Sequence, residues 1–255
     1  MEFFTSVLIS AELSPAAFLL LIAASFLTAG ITTAVGIGGG LAMLAIMANV
    51  MPVAAIVPVH AVVQATNNTS RAFLLRKDLI VPIFIWFSVG GLLGVLVASQ
   101  VVVALPLDLL QIIMGVFILY SVWAPKLKNF SSGKGSQFFG GVIASAASLF
   151  IGASGPITMA FLPRSELTRQ QLVATHAAIM VLQHGLKIFA LGFLGFVYMP
   201  WIGLLAAMLV SGFFGAVAGR AILWRIPEEK FKLIFNLVLT LLALRMLYQA
   251  MAESF

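Results

Sequence analysis

A line of polar residues runs through one apolar stretch of the chain. His60, Gln64, Asn67 and Arg71 are spaced 4, 3 and 4 apart, which puts them on one face of a helix. His176, Gln183 and Lys187 repeat the pattern further along, with His184 one position round, opposite Asn68. Amides and imidazoles donate hydrogen bonds, and Arg and Lys add positive charge, so this set suits a small anion. Lys187 is followed by further apolar residues, and no acidic residue sits at its depth. A charge inside an apolar span costs at least ~2.5–3.5 kcal/mol on insertion scales, so it needs a partner or a wet cavity. A bound anion would serve. The simpler account is that Arg71 and Lys187 snorkel to lipid headgroups, while His60 and His176 are neutral and bonded to backbone carbonyls. Recurrence in two places favours a shared site.

Two glycine clusters stand before short apolar segments. Gly36, Gly38, Gly39 and Gly40 form one; Gly152, Ser154, Gly155 and Pro156 form the other. A helix start preceded by glycines exposes N–H donors and the positive end of the dipole, which again suits an anion. Close helix packing through small residues is the alternative. The candidate binding set is therefore Gly38, Gly39, Gly40, Ser154 and Gly155 as donors, with Gln64, Asn67, Asn68 and Gln183 bonding anion oxygens. Lys187 and Arg71 would supply charge, and His60, His176 and His184 would bond cargo or carry a proton. Gly152–Gly155 also has the G-x-S-G form of an intramembrane serine protease, with His176 as a base for Ser154. The first cluster has Gly38 where the second has Ser154, so a repeat explains the motif without a nucleophile.

These residues need elements to hold them, and composition says which kind. Of 255 residues, 62% are hydrophobic and 9% charged, with a mean hydropathy of +1.14. Soluble domains carry about 25% charged residues. The chain is expected to be an all-α polytopic membrane protein; a soluble enzyme, a disordered chain and an alternating-pattern barrel do not fit. There is no cysteine, so disulfides and thiolate metal sites are excluded.

About ten hydrophobic segments are expected. Phe18–Val35, Leu41–Val50, Ala54–Leu75, Ile80–Ala98 and Leu107–Trp123 lie in one half; Phe138–Ile151, Ile157–Leu162, Leu172–Leu194, Trp201–Leu223 and Phe231–Leu247 lie in the other. The second segment of each half is too short to span and reads as broken or re-entrant. A shift of 116 residues places His60 on His176, Phe73 on Phe189, Asn67 on Gln183 and Arg71 on Lys187. The organisation read from this is a first repeat over 16–124, a cytoplasmic linker over 125–136 and a second repeat over 137–250. Basic clusters at Arg71–Lys77, Lys126–Lys134, Arg164–Arg169 and Arg220–Lys232 fall on one side only if each repeat crosses an odd number of times. The repeats are then inverted, and both termini face outside.

With G-I-G-G-G-L, the P-V-A-A-I-V-P-V-H-A-V-V-Q-A-T-N-N-T-S-R helix, the R-K-D-L loop and the second glycine cluster, the chain resembles the sulfite exporter TauE/SafE family of bacterial membrane transporters. The resemblance covers Phe18–Leu247 and implies a secondary transporter in the inner membrane exporting sulfite, an organosulfonate such as sulfoacetate, or thiosulfate. The site would lie centrally between the two repeats. Ser154, Gly155 and Pro156 stand where the first copy has three glycines, and Gln183 and His184 replace an Asn pair, so the half-sites are not equivalent. No catalytic residue, cofactor or metal is expected. The partners are a small anionic substrate and the bilayer, with a homodimer as an option and no nucleic acid. A channel, or a transporter of another anion or metabolite, is the alternative.

Overall fold

The computed structural model describes residues 13–35, 38–102, 105–124, 133–222 and 228–253. Gly36, Lys126, Lys128 and Arg225 of the motifs above lie outside them, as do Glu2 and Glu12 at the N-terminus. Among the described residues there are ten α-helices and no strand. They are α1 Pro15–Val35, α2 Gly39–Met47, α3 Val53–Leu74, α4 Val81–Val102, α5 Leu107–Trp123, α6 Lys134–Ile151, α7 Gly155–Ala160, α8 Arg169–Phe193, α9 Ile202–Ile222 and α10 Glu228–Glu253. Each expected segment corresponds to one of them. Lipid offers no partner to a backbone amide, so long apolar runs close their own hydrogen bonds as helices. Five stretches among the described residues are long and apolar enough to cross a membrane: Pro15–Thr33, Val81–Val102, Arg169–Phe193, Met199–Gly219 and Leu233–Ala252. Large apolar side chains such as Leu96, Val97, Phe213 and Leu241 face outward. That arrangement suits a lipid solvent and would aggregate in water.

The breaks are local in origin. Gly38 (φ 110°) separates α1 from α2, and Gly152 (φ 74°) separates α6 from α7. Both φ values lie in the region that only glycine enters at low cost. α8 starts with a capping box: Thr168 Oγ1 accepts from Gln171 N at 3.2 Å, and Gln171 Oε1 accepts from Thr168 N at 3.0 Å.

The helices sort into two compact units, and each unit takes helices from both halves of the sequence. One holds α1, α2, α3 up to Val63, α5, α9 and α10. In it α1 packs along α9, α5 along α10, and α2 against α1. The α1–α9 contact is backbone to backbone: a Cβ on Gly30 would stand 3.0 Å from Gly215 O, and one on Gly215 would collide with Phe26 O. Ser25 Oγ donates to Met208 O at 2.7 Å and Ser211 Oγ to Ile22 O at 2.8 Å. The other unit holds α3 from Gln64, then α4, α6, α7 and α8. Here α4 packs along α6, with Gly90 against Phe138 O, Gly94 against Val142 O and Gly141 against Phe87 O. Small residues let the backbones approach, which is how helices associate where lipid removes the hydrophobic drive.

Candidate functional site

In the first unit, His60 is buried on α3 and its Nε2 lies 2.8 Å from Gly40 O, in the first turn of α2. A carbonyl only accepts, so this ring nitrogen carries the hydrogen. Gly39 is pressed against Thr28 O and Thr32 Oγ1 of α1. Gly38 O accepts from Ala42 N at 2.9 Å, and a Cβ on Gly38 would stand 3.2 Å from the Phe235 ring. Gly38, Gly39 and Gly40 thus hold α2 in place.

In the second unit, the lower half of α3 carries a hydrogen-bonded chain. Arg71 Nη2 donates to Asn68 Oδ1 at 2.6 Å, and Asn68 Nδ2 donates to Gln64 O at 2.8 Å. Gln64 and Asn68 are buried, while Asn67 is only half-buried. The polar face therefore runs His60, Gln64, Asn68, with Arg71 gripping its end. Asn68, one position round from the spacing expected for Asn67, is the buried member of the pair.

The largest concentration of buried polar groups is on α8, where Thr175, His176, Gln183, His184 and Lys187 are all buried. His176 Nε2 lies 3.4 Å from Gly155 O, so both histidines of the repeated stripe meet the start of a short helix. Gln183 Oε1 accepts from Ser154 Oγ at 2.7 Å and from Thr158 Oγ1 at 3.3 Å. Its Nε2 is buried and has no partner. Lys187 is fully buried, and its Nζ donates to Gly152 O at 2.6 Å. An ammonium has three donors, and this bond commits one. Gly152 caps the C-terminus of α6, so Lys187 also meets the negative end of that helix dipole.

Gln183 and Lys187 lie one turn apart and are anchored to the same turn, 152–154. Their remaining N–H groups make a buried, donor-rich corner. Ser154 gives its proton to Gln183, and His176 Nε2 is committed to Gly155, so the hydroxyl–imidazole pair that a serine protease needs is not made. Spacing did not disclose three contributors: Gly152 as acceptor for Lys187, Thr158 as a second donor to Gln183, and Thr175, whose Oγ1 accepts from Ile80 N at 3.1 Å. Thr158 had one visible signal, a hydroxyl one turn from Ser154 in an otherwise apolar segment.

Apolar helices broken at glycine, with buried polar side chains at the breaks, fit a polytopic membrane protein and are a feature of secondary transporters. The chain belongs to the sulfite exporter TauE/SafE family, whose model matches residues 21–246, from within α1 to within α10. Neither a curated protein nor a solved structure matches it.

Proposed function

We propose that this protein is a secondary transporter that exports a small sulfur-containing anion across the bacterial inner membrane, and that the Gln183–Lys187 corner binds it. The observation that carries the reading is Gln183 Nε2, a buried amide donor without an acceptor, one turn from a buried lysine whose Nζ bonds the Gly152 carbonyl. Unsatisfied buried donors are rare and costly, and an oxyanion supplies the missing acceptor and charge together. Sulfite, thiosulfate and a sulfonate such as sulfoacetate all present two or more oxygens to such a corner. Family membership supports sulfur as the element.

The inverted-repeat reading has its own support. Pairing each helix with the one five places later makes α1 on α9 and α6 on α4 the same contact. The histidine contacts at Gly40 and Gly155 fall one position from register under the same pairing.

The experiment is thermal unfolding of purified protein with sulfite, thiosulfate, sulfoacetate and taurine. A bound ligand at a hundredfold excess over Kd adds about 2.7 kcal/mol. Wild type should gain stability with at least one of the anions, and Lys187→Met should lose most of that gain. If Lys187→Met binds normally in whatever fraction folds, the lysine serves only to cap α6 and the anion site lies elsewhere.

A further inference from the structure

The first unit contains a second polar place, distinct from the Gln183–Lys187 corner and independent of it. A cavity of about 370 Å³ is lined by residues 48–53 with Gln111 and Gln249. The side chains in its wall are arranged in a particular sense. Asn49 Nδ2 donates to Ala45 O at 2.7 Å and to Leu242 O at 3.1 Å, so both its amide hydrogens are committed. Gln111 Nε2 donates to Met246 O at 3.4 Å. Leu242 and Met246 are one turn apart on α10, so both amides are anchored to neighbouring turns of that helix. Their bonds to carbonyls fix which end of each amide is nitrogen. What remains is two carbonyl oxygens, Asn49 Oδ1 and Gln111 Oε1, both buried and both without a donor. The residues are 8% and 4% exposed, so bulk water does not satisfy them.

Two buried acceptors without donors call for a ligand that brings positive charge or hydrogens. Gln249 is the only other polar side chain in the lining; the rest are Ala48, Val50, Met51, Pro52 and Val53. Calcium and magnesium are taken up by carboxylates, and none lines the cavity. Transition metals prefer imidazole or thiolate, and neither is present. Neutral amide oxygens suit a weakly charged, hard ion. The helices contribute as well. α2 ends at Met47 beside the cavity, and Gln249 lies near the C-terminal end of α10, so two negative dipole ends border it. α3 begins at Val53 and presents the opposite pole. The side chains decide the balance, and the groups they leave unpartnered are oxygens. C-terminal ends of broken helices are where transporters hold monovalent cations.

We infer that the Asn49–Gln111 cavity is a binding site for a monovalent alkali cation, coordinated by the two amide oxygens where α2, α5 and α10 meet.

The test is the unfolding temperature of purified wild-type protein in sodium, potassium or choline chloride at constant ionic strength, with no sulfur anion present. Sodium or potassium should raise the midpoint saturably above choline. Gln111→Glu keeps the size of the side chain and adds a charge beside the ion. It should tighten the apparent affinity for that cation by roughly tenfold and add stabilisation by calcium. Gln111→Leu should remove the cation dependence. Equal midpoints in all three salts for wild type would mean that the cavity holds only water, and would overturn the inference. An unchanged cation response in Gln111→Glu would do the same, even if Gln111→Leu fails to fold. The Gln183–Lys187 site contributes no residue here, so failure of one site leaves the other standing.

Discussion

Gln183 holds two hydroxyls with its oxygen and leaves its nitrogen unused, which makes two substitutions informative in opposite ways. Gln183→Leu strands Ser154 and Thr158, and each orphaned buried hydroxyl costs about 1–3 kcal/mol. It should lower the unfolding midpoint with or without ligand. Gln183→Glu keeps both acceptor bonds and places a carboxylate one turn from Lys187. The protein then supplies its own anion, so the ligand-free midpoint should hold or rise and added sulfite or thiosulfate should no longer stabilise. Continued stabilisation of Gln183→Glu by anions would separate the binding site from this corner. The sequence revealed the two residues because polar side chains stand out in an apolar helix. Lys187's partner was hidden, because a backbone carbonyl has no signature in sequence. The chain also places the buried stripe on Asn68, since the register of a helix inside its packing is decided by neighbours and not by spacing alone.

Among the elements, the glycines divide by what faces them. A Cβ at Gly90 would strike Phe138 O, whereas a Cβ at Gly185 on α8 meets nothing within 4 Å. Gly90→Leu should push α4 from α6, with overpacking of about 1–3 kcal/mol or more lost to the fold. Gly185→Ala should instead stabilise by about 0.5–1 kcal/mol, because it removes only unfolded-state freedom in a helix. Chemical unfolding of the two variants checks both signs, and a destabilised Gly185→Ala would contradict the open surroundings. Gly155 offers a finer case. Its Cβ would sit 3.8 Å from His176 Nε2, an ordinary contact, so Gly155→Ala should fold. Gly39 is walled in by Thr28 and Thr32, and any larger residue there reports on packing alone. Most segment boundaries were legible to within about four residues, with α10 running six residues past the expected Leu247 to Glu253, because apolar run length is a local property. Helix partners were not, because small residues occur on several of these helices and sequence does not say which faces meet.

At the scale of the whole molecule, the basic clusters predict one sidedness for the chain. Lys77 lies in the turn after α3, and exposed Val197 lies between α8 and α9. The chain has no native cysteine, so single cysteines can be introduced cleanly. Lys77→Cys should be shielded from an impermeant thiol reagent in intact cells and become reactive after lysis. Val197→Cys should react in intact cells. The reverse pattern would invert the proposed orientation, and labelling of both from outside would end the odd-crossing model.

The bonds between α1 and α9 join residues 183 and 189 positions apart, and that separation is also an interval of time. At about 5–20 residues per second, α1 waits roughly ten to forty seconds during synthesis before α9 exists to receive it. The second unit waits about half as long, since its Ile80–Thr175 bond spans 95 positions and its last helix ends at Phe193. A nascent chain halted there has made every helix of that unit, while the face of α1 that carries Gly30 still lies open to lipid.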